Sequence, residues 1–141
     1  MSRLYSVDAN VLIRYLTRDD ERLWKKADTI IEAMDEGKIE LLCDPVTLAE
    51  IVFVLGSPCG LDRKQIHQLL DPVIKAKGFR IPNKDIYVRA MELYGDRVPH
   101  FGDACACALA LSECEGRLLS FDKKLSNVPG VERVEGLTTE D

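Results

Sequence analysis

Leu4-Tyr5-Ser6-Val7-Asp8-Ala9-Asn10-Val11-Leu12-Ile13-Arg14-Tyr15-Leu16 decides how the chain is read. Leu4 to Val7 is short, apolar and rich in β-formers, the pattern of a buried strand. The apolar residues between Val11 and Leu16 are so dense that the following helix should be mostly buried too. Asp8 stands between them. A carboxylate where a strand gives way to a helix adds little to a core, and in open parallel sheets the carboxyl ends of strands are where ligands bind. Acids elsewhere in the chain are therefore candidates to join Asp8.

The next strand signal is Ile39 to Cys43, after a helix over residues 21–36 capped by Asp19 or Asp20 and ended by Gly37. Asp44-Pro45 then opens another helix, with Asp44 as N-cap and Pro45 where its missing N–H costs nothing. In Val46 to Leu55 the apolar residues cover every face, which predicts a largely buried helix with Glu50 in its middle. A buried, ionised carboxylate needs a cation, a hydrogen-bond network or a proton. The bland alternative is a basic partner at an exposed edge.

Further along, Asp62 and Gln65 read as a capping box before an amphipathic helix that Pro72 should kink or interrupt. Residues 78–82 are a short strand candidate. Asn83 should cap a helix closed by Gly95. A loop, Val98 to Gly102, delivers Asp103 to the start of a helix of small residues, Ala104 to Leu111, where its bland role is an N-cap worth about 1 kcal/mol. Gly116 ends that helix. Arg117 to Phe121 reads as a strand with Asp122 directly after it, and Val131 to Val134 as a final weak strand.

The totals describe an ordinary globular chain: 141 residues, 46% hydrophobic and 30% charged, with a net charge of −5. One domain over residues 1–135 with a polar tail at 136–141 is expected. The longest apolar runs are too short to span a bilayer, and no signal-peptide pattern precedes Asp8, so a cytoplasmic protein without membrane contact is expected. Five cysteines at 43, 59, 105, 107 and 114 show no paired zinc spacing. On a helix, Cys105 and Cys107 would point about 200° apart. They read as reduced, buried thiols. The acidic balance argues mildly against a nucleic-acid partner, but a site that holds divalent cations itself depresses the total.

Alternation of strands and helices implies an α/β fold with a mainly parallel sheet. Right-handed crossovers gather strand ends on one edge, where Asp8, Glu50, Asp103 and Asp122 can converge. Converging carboxylates repel unless a cation lies among them. An all-oxygen set suits Mg²⁺ or Mn²⁺, and the lack of a histidine or cysteine cluster beside it argues against zinc.

Four stretches resemble the PIN-domain ribonucleases, and most closely the VapC-like toxins of prokaryotic toxin–antitoxin pairs. They are Val7-Asp8-Ala9-Asn10-Val11-Leu12, Leu48-Ala49-Glu50-Ile51-Val52, Phe101-Gly102-Asp103-Ala104 and Ser120-Phe121-Asp122-Lys123-Lys124-Leu125. Their order and spacing match over almost the whole chain. The resemblance implies a three-layer α/β/α sandwich with a mainly parallel central sheet, whose acids bind Mg²⁺ or Mn²⁺ and cut RNA phosphodiester bonds. Carried over by position, Asp8, Glu50, Asp103 and Asp122 form the catalytic quartet. Asp8 and Asp103 would be the direct metal ligands, with Glu50 and Asp122 acting directly, through water, or on a second ion.

Asn10 and Ser120 match supporting positions, although local capping explains them equally well. Arg14 could meet a substrate phosphate or a partner's carboxylate, with a solvated surface arginine as the bland alternative. The resemblance further implies products with a 5′-phosphate and a 3′-hydroxyl, a homodimer, and a cognate antitoxin protein. Three rivals remain open. A processing or quality-control nuclease keeps the chemistry, and a non-catalytic scaffold keeps only the fold. A phosphohydrolase of the haloacid-dehalogenase type would use Asp8 as nucleophile, but wants an acid where this chain has Asn10.

Overall fold

Four aspartates start the first four helices. In a computed structural model that describes residues 2–137, these are α1 (Ala9–Thr17), α2 (Glu21–Asp35), α3 (Pro45–Gly56) and α4 (Arg63–Lys75). The carboxylates of Asp8, Asp20, Asp44 and Asp62 accept from the backbone N–H groups of Asn10, Leu23, Val46 and Gln65. Each cap satisfies a donor that the helix itself leaves unpaired and is worth about 1 kcal/mol. The box at Asp62 is reciprocal, because Gln65 Oε1 accepts from the Asp62 N–H at 2.9 Å.

Strands β1 (Arg3–Ser6), β2 (Ile39–Leu42) and β3 (Phe79–Arg80) form a parallel sheet in that order. β4 (Arg117–Leu119) and β5 (Glu132–Val134) form a second, two-stranded parallel sheet. In chain order α5 (Lys84–Asp96) and α6 (Phe101–Glu113) follow β3, and a 3₁₀ turn at Lys123–Asn127 links β4 to β5. The fold is α/β, with six α-helices among the described residues and every strand pair parallel. The chain divides into two compact units, one up to Lys84 and one from Asp85. The expected tail lies outside the described residues from Thr138 onward.

The first unit is built on fully buried Leu12, Leu41, Leu48, Ile51, Leu55 and Phe79. α1 packs on both α2 and α3, and α4 on β3. In the second unit α6 lies on β4 through small side chains, with Ala104, Cys107 and Ala108 wholly buried. Tyr94 meets Phe101 edge to face at 5.7 Å, a favoured geometry for aromatic pairs.

Several sequence expectations are corrected. β1 is exposed along its length, and burial begins only with Val7 after it. α3 is not buried on all sides. Val46, Ala49, Glu50 and Phe53 share one exposed face, at the spacing of three and four that a helix dictates, while Leu48, Ile51, Val52 and Leu55 fill the core. α4 is not interrupted at Pro72, which is exposed, because the buried stripe of Ile66, Leu70, Val73 and Ile74 holds the helix on both sides of the one missing hydrogen bond. Asn83 does not cap α5 in the ordinary way: it takes a left-handed φ of 58°, a conformation Asn tolerates. Gly95 lies inside α5, which ends one residue later.

Candidate active site

In the first unit Asp8 ends β1 and caps α1. Its Oδ1 accepts from the Asn10 N–H at 3.0 Å. That bond fixes the carboxylate and leaves the second oxygen without a hydrogen bond among the described residues. Asn10 enters this cap through its backbone N–H, which leaves its side chain out of the bond. Beside Asp8 opens a cavity of about 430 Å³ lined largely by apolar groups, among them Tyr5, Val7, Val11, Ile30 and Leu41. Asp8 is the charged residue of that lining.

Glu50 lies on the exposed face of α3, not in the core. Among the described residues its carboxylate has no hydrogen-bond or ion-pair partner, so neither a buried network nor the bland basic partner accounts for it. It is flanked along the helix by Val46 and Phe53, which are 76% and 71% exposed.

In the second unit α6 begins three residues earlier than the sequence suggested, and its N-cap is His100, with no side-chain cap bond. Asp103 is therefore not the cap. It occupies the first turn, half-buried, where a negative charge interacts favourably with the helix N-terminus. Its carboxylate also lacks a hydrogen-bond or ion-pair partner among the described residues. Asp122 follows β4 after a bend at Ser120-Phe121, so the strand is shorter than expected. Asp122 Oδ1 accepts from the Lys124 N–H at 3.0 Å, and the Asp122 N–H donates to Ser120 Oγ at 3.0 Å. Like Asp8, Asp122 is aimed by a backbone bond to one oxygen.

Asp103 and Asp122 are both felt electrostatically at Cys107. Burial raises that thiol's pKa, and the negative charges of Asp103 and Asp122 raise it further. Two acids from separate motifs thus act on one buried point under α6. Carboxylates are the right donor type for Mg²⁺, which is commonly held by one or two of them and keeps several waters. Among the described residues no three histidine, cysteine, aspartate or glutamate side chains are grouped closely enough to form a complete cage.

All five cysteines are free thiols, and burial pushes Cys43 and Cys105 up to about 11. Cys59 is exposed, against the expectation of a buried thiol. Arg14 is neither free nor merely solvated. Its Nη1 lies 3.0 Å from both carboxylate oxygens of Asp19, and that hydrogen bonding holds the Asp19 carboxyl below its ordinary value.

Arg133 was missed. From β5 its Nη1 donates to the Ser120 carbonyl at 3.0 Å and its Nε to Ser126 Oγ at 2.8 Å, so it grips both sides of the turn that carries Asp122. A sequence signal existed but was faint: an arginine in a short strand, in step with Val131 on one face.

The sequence model of the PIN domain matches residues 5–131. The chain belongs to the PIN domain family. PIN domains are a nuclease superfamily whose members generally use divalent metal ions, and the match takes in all four acids of this chain. No curated protein and no solved structure matches the chain. No helix among the described residues of this PIN domain is long and apolar enough to cross a membrane.

Proposed function

We propose that this PIN domain is a divalent-metal-dependent endoribonuclease. The observation that carries the reading is the PIN-family match over residues 5–131, which takes in all four acids, with Asp8 and Glu50 exposed and the charges of Asp103 and Asp122 both felt at Cys107. Carboxylates brought close together are costly unless a cation offsets their charge. Asp8 and Asp103 would be direct ligands of Mg²⁺ or Mn²⁺, with Glu50 and Asp122 acting directly, through water, or on a second ion. Such an ion, when bound, supplies Lewis acidity and a water acidic enough to attack a phosphate at neutral pH. Asp8 and Asp122 are pre-aimed for this work by the backbone N–H groups of Asn10 and Lys124. Ser120 supports Asp122 by accepting its N–H. Arg14 would have to leave Asp19 to meet a phosphate.

The cellular role is proposed as the toxin of a toxin–antitoxin pair, acting as a cytoplasmic homodimer held in check by a cognate antitoxin. The four motifs that resemble VapC-like toxins support it. So does the exposed apolar face of α3, where a protein partner covering Val46 and Phe53 would also cover Glu50.

The test is cleavage of a labelled single-stranded RNA with Mg²⁺ or Mn²⁺, with EDTA, and by the Asp8→Asn variant. The expected result is cutting that requires metal, leaves 5′-phosphates, and disappears in the variant. Equal cutting by Asp8→Asn would overturn the site. Neither cutting nor Mn²⁺ binding would leave a scaffold.

A further inference from the structure

Phe121 stands immediately before Asp122 and is 86% exposed. An aromatic side chain that open to water forgoes most of the burial free energy it could gain, so its placement calls for a reason. The backbone around it is held on both sides. Ser120 Oγ accepts the Asp122 N–H at 3.0 Å, and the Ser120 carbonyl accepts from Arg133 at 3.0 Å. Phe121 is thus the middle residue of a pinned bend, a ring displayed on a fixed mount.

The two residues after Asp122 are Lys123 and Lys124, both exposed. Among the described residues neither ammonium has an ion-pair or hydrogen-bond partner. Nearby cations do: Arg133 pairs with Glu135 and Arg117 with Glu115. One short exposed turn therefore carries a free ring, a candidate catalytic acid and two uncommitted cations.

We infer that residues 121–124 bind single-stranded RNA, with an unpaired base stacked on Phe121 and backbone phosphates met by Lys123 and Lys124. This rests on the nuclease reading above and names the substrate class. A base can reach the ring only if it is out of a duplex, and single-stranded segments are where proteins stack bases on aromatic side chains. Every base has a π-face, so such a platform is tolerant of sequence. Two lysines would supply the backbone term and make binding salt-dependent. A protein surface covering Phe121 is the competing occupant. It has less in its favour, because two uncommitted lysines beside the ring suit a polyanion.

The experiment measures binding of a fluorescein-labelled single-stranded RNA in EDTA, against the same strand with abasic ribose positions. Wild type, Phe121→Ala, Phe121→Trp and the Lys123→Ala/Lys124→Ala pair are compared. Phe121→Ala is expected to weaken binding of the base-bearing strand by roughly 5- to 150-fold, with little effect on the abasic strand. Phe121→Trp should retain binding. The double lysine variant should lower the slope of log affinity against log salt by about 0.7 for each phosphate that the lysines no longer neutralise. Equal losses on both strands, or no loss on either, would overturn the platform. So would a change in oligomeric state of Phe121→Ala with RNA binding intact. Cleavage run in parallel with Mn²⁺ separates the two proposals: cutting without base-dependent binding sinks the platform alone, and base-dependent binding without cutting sinks the nuclease.

Discussion

Arg133 donates to the Ser120 carbonyl at 3.0 Å, tying β5 to the bend that delivers Asp122. The same guanidinium reaches Ser126 and the Glu135 carboxylate, and its side chain is only 14% exposed. A planar fork with several fixed donors can hold three partners at once, which an ammonium cannot.

Arg133→Ala should therefore loosen the Asp122 turn. Hydrogen bonds from charged groups are worth roughly 1.5–3 kcal/mol each when a partner is left behind. A stability loss of about 2–3 kcal/mol is expected from urea unfolding, and RNA cleavage should fall further than stability explains. Arg133→Lys should recover part of the stability but little of the activity. Full activity in Arg133→Lys would show that charge alone, not the forked geometry, is what matters.

Local signals in the sequence were legible where a single residue type dictates the backbone. Asp44-Pro45 and the Asp62/Gln65 box sit as expected, because caps depend on neighbours two or three positions away. The α/β alternation and the parallel pairing were legible for the same reason, since short connections leave few topologies. Burial was not. The sequence composition of α3 hid an exposed face, because hydrophobic residues on all sides do not say which side finds a partner. Pro72 failed as a breaker because packing on both flanks outweighed one missing bond. Arg133 was invisible because its role lies in bonds to residues 7 and 13 positions away.

Asp103→Asn and Asp122→Asn should separate metal binding from folding. Each removes one of two like charges near Cys107 without removing volume, so the metal-free variants should be as stable as wild type within about 0.5 kcal/mol. A ligand that binds only the folded state stabilises by about 2.7 kcal/mol at a hundred times its dissociation constant. Wild type should therefore melt at rising temperature as MnCl₂ is added, and the double variant should not. A melting curve that shifts equally in both would remove these acids from the metal site.

Alkaline pH should destabilise the protein through two thiols, the buried Cys43 and the half-buried Cys105. Cys43 and Cys105 have folded values of about 11, raised from 9.0 chiefly by burial. The unfolded chain therefore loses these protons first, so stability is intact below pH 9.0 and falls as pH rises through about 11. A loss on the order of 1–3 kcal/mol for the buried Cys43, and less for the partly exposed Cys105, is expected across that window, given about 1.4 kcal/mol per pH unit. Chemical denaturation at several pH values measures it. Cys43→Ala should be less stable at neutral pH but show a shallower alkaline decline. An unchanged slope would mean that the Cys43 thiol is not what titrates.

Gly116 should be the least replaceable glycine of the second unit. Its N–H donates to the Ala110 carbonyl at 2.9 Å, closing α6, and its carbonyl accepts from the Glu132 N–H at 2.8 Å, joining β4 to β5. Serving both requires a φ of +86°, and an added Cβ would run into the Gly130 carbonyl oxygen. An L-residue in that region costs about 1–2 kcal/mol, and a backbone collision adds roughly 1–3 kcal/mol more. Gly116→Ala is expected to lower stability by about 2–4 kcal/mol in urea unfolding. Gly136→Ala is the matched control: nothing lies within 4 Å of its added methyl, and its φ is not in the positive range, so no change beyond about 0.5 kcal/mol is expected. Because β4 leads directly into the Asp122 bend, Gly116→Ala should also lose cleavage at temperatures where it is still folded. Retained activity there would mean that the turn at Asp122 holds its shape without the α6–β4 junction, with Arg133 sufficient to hold it.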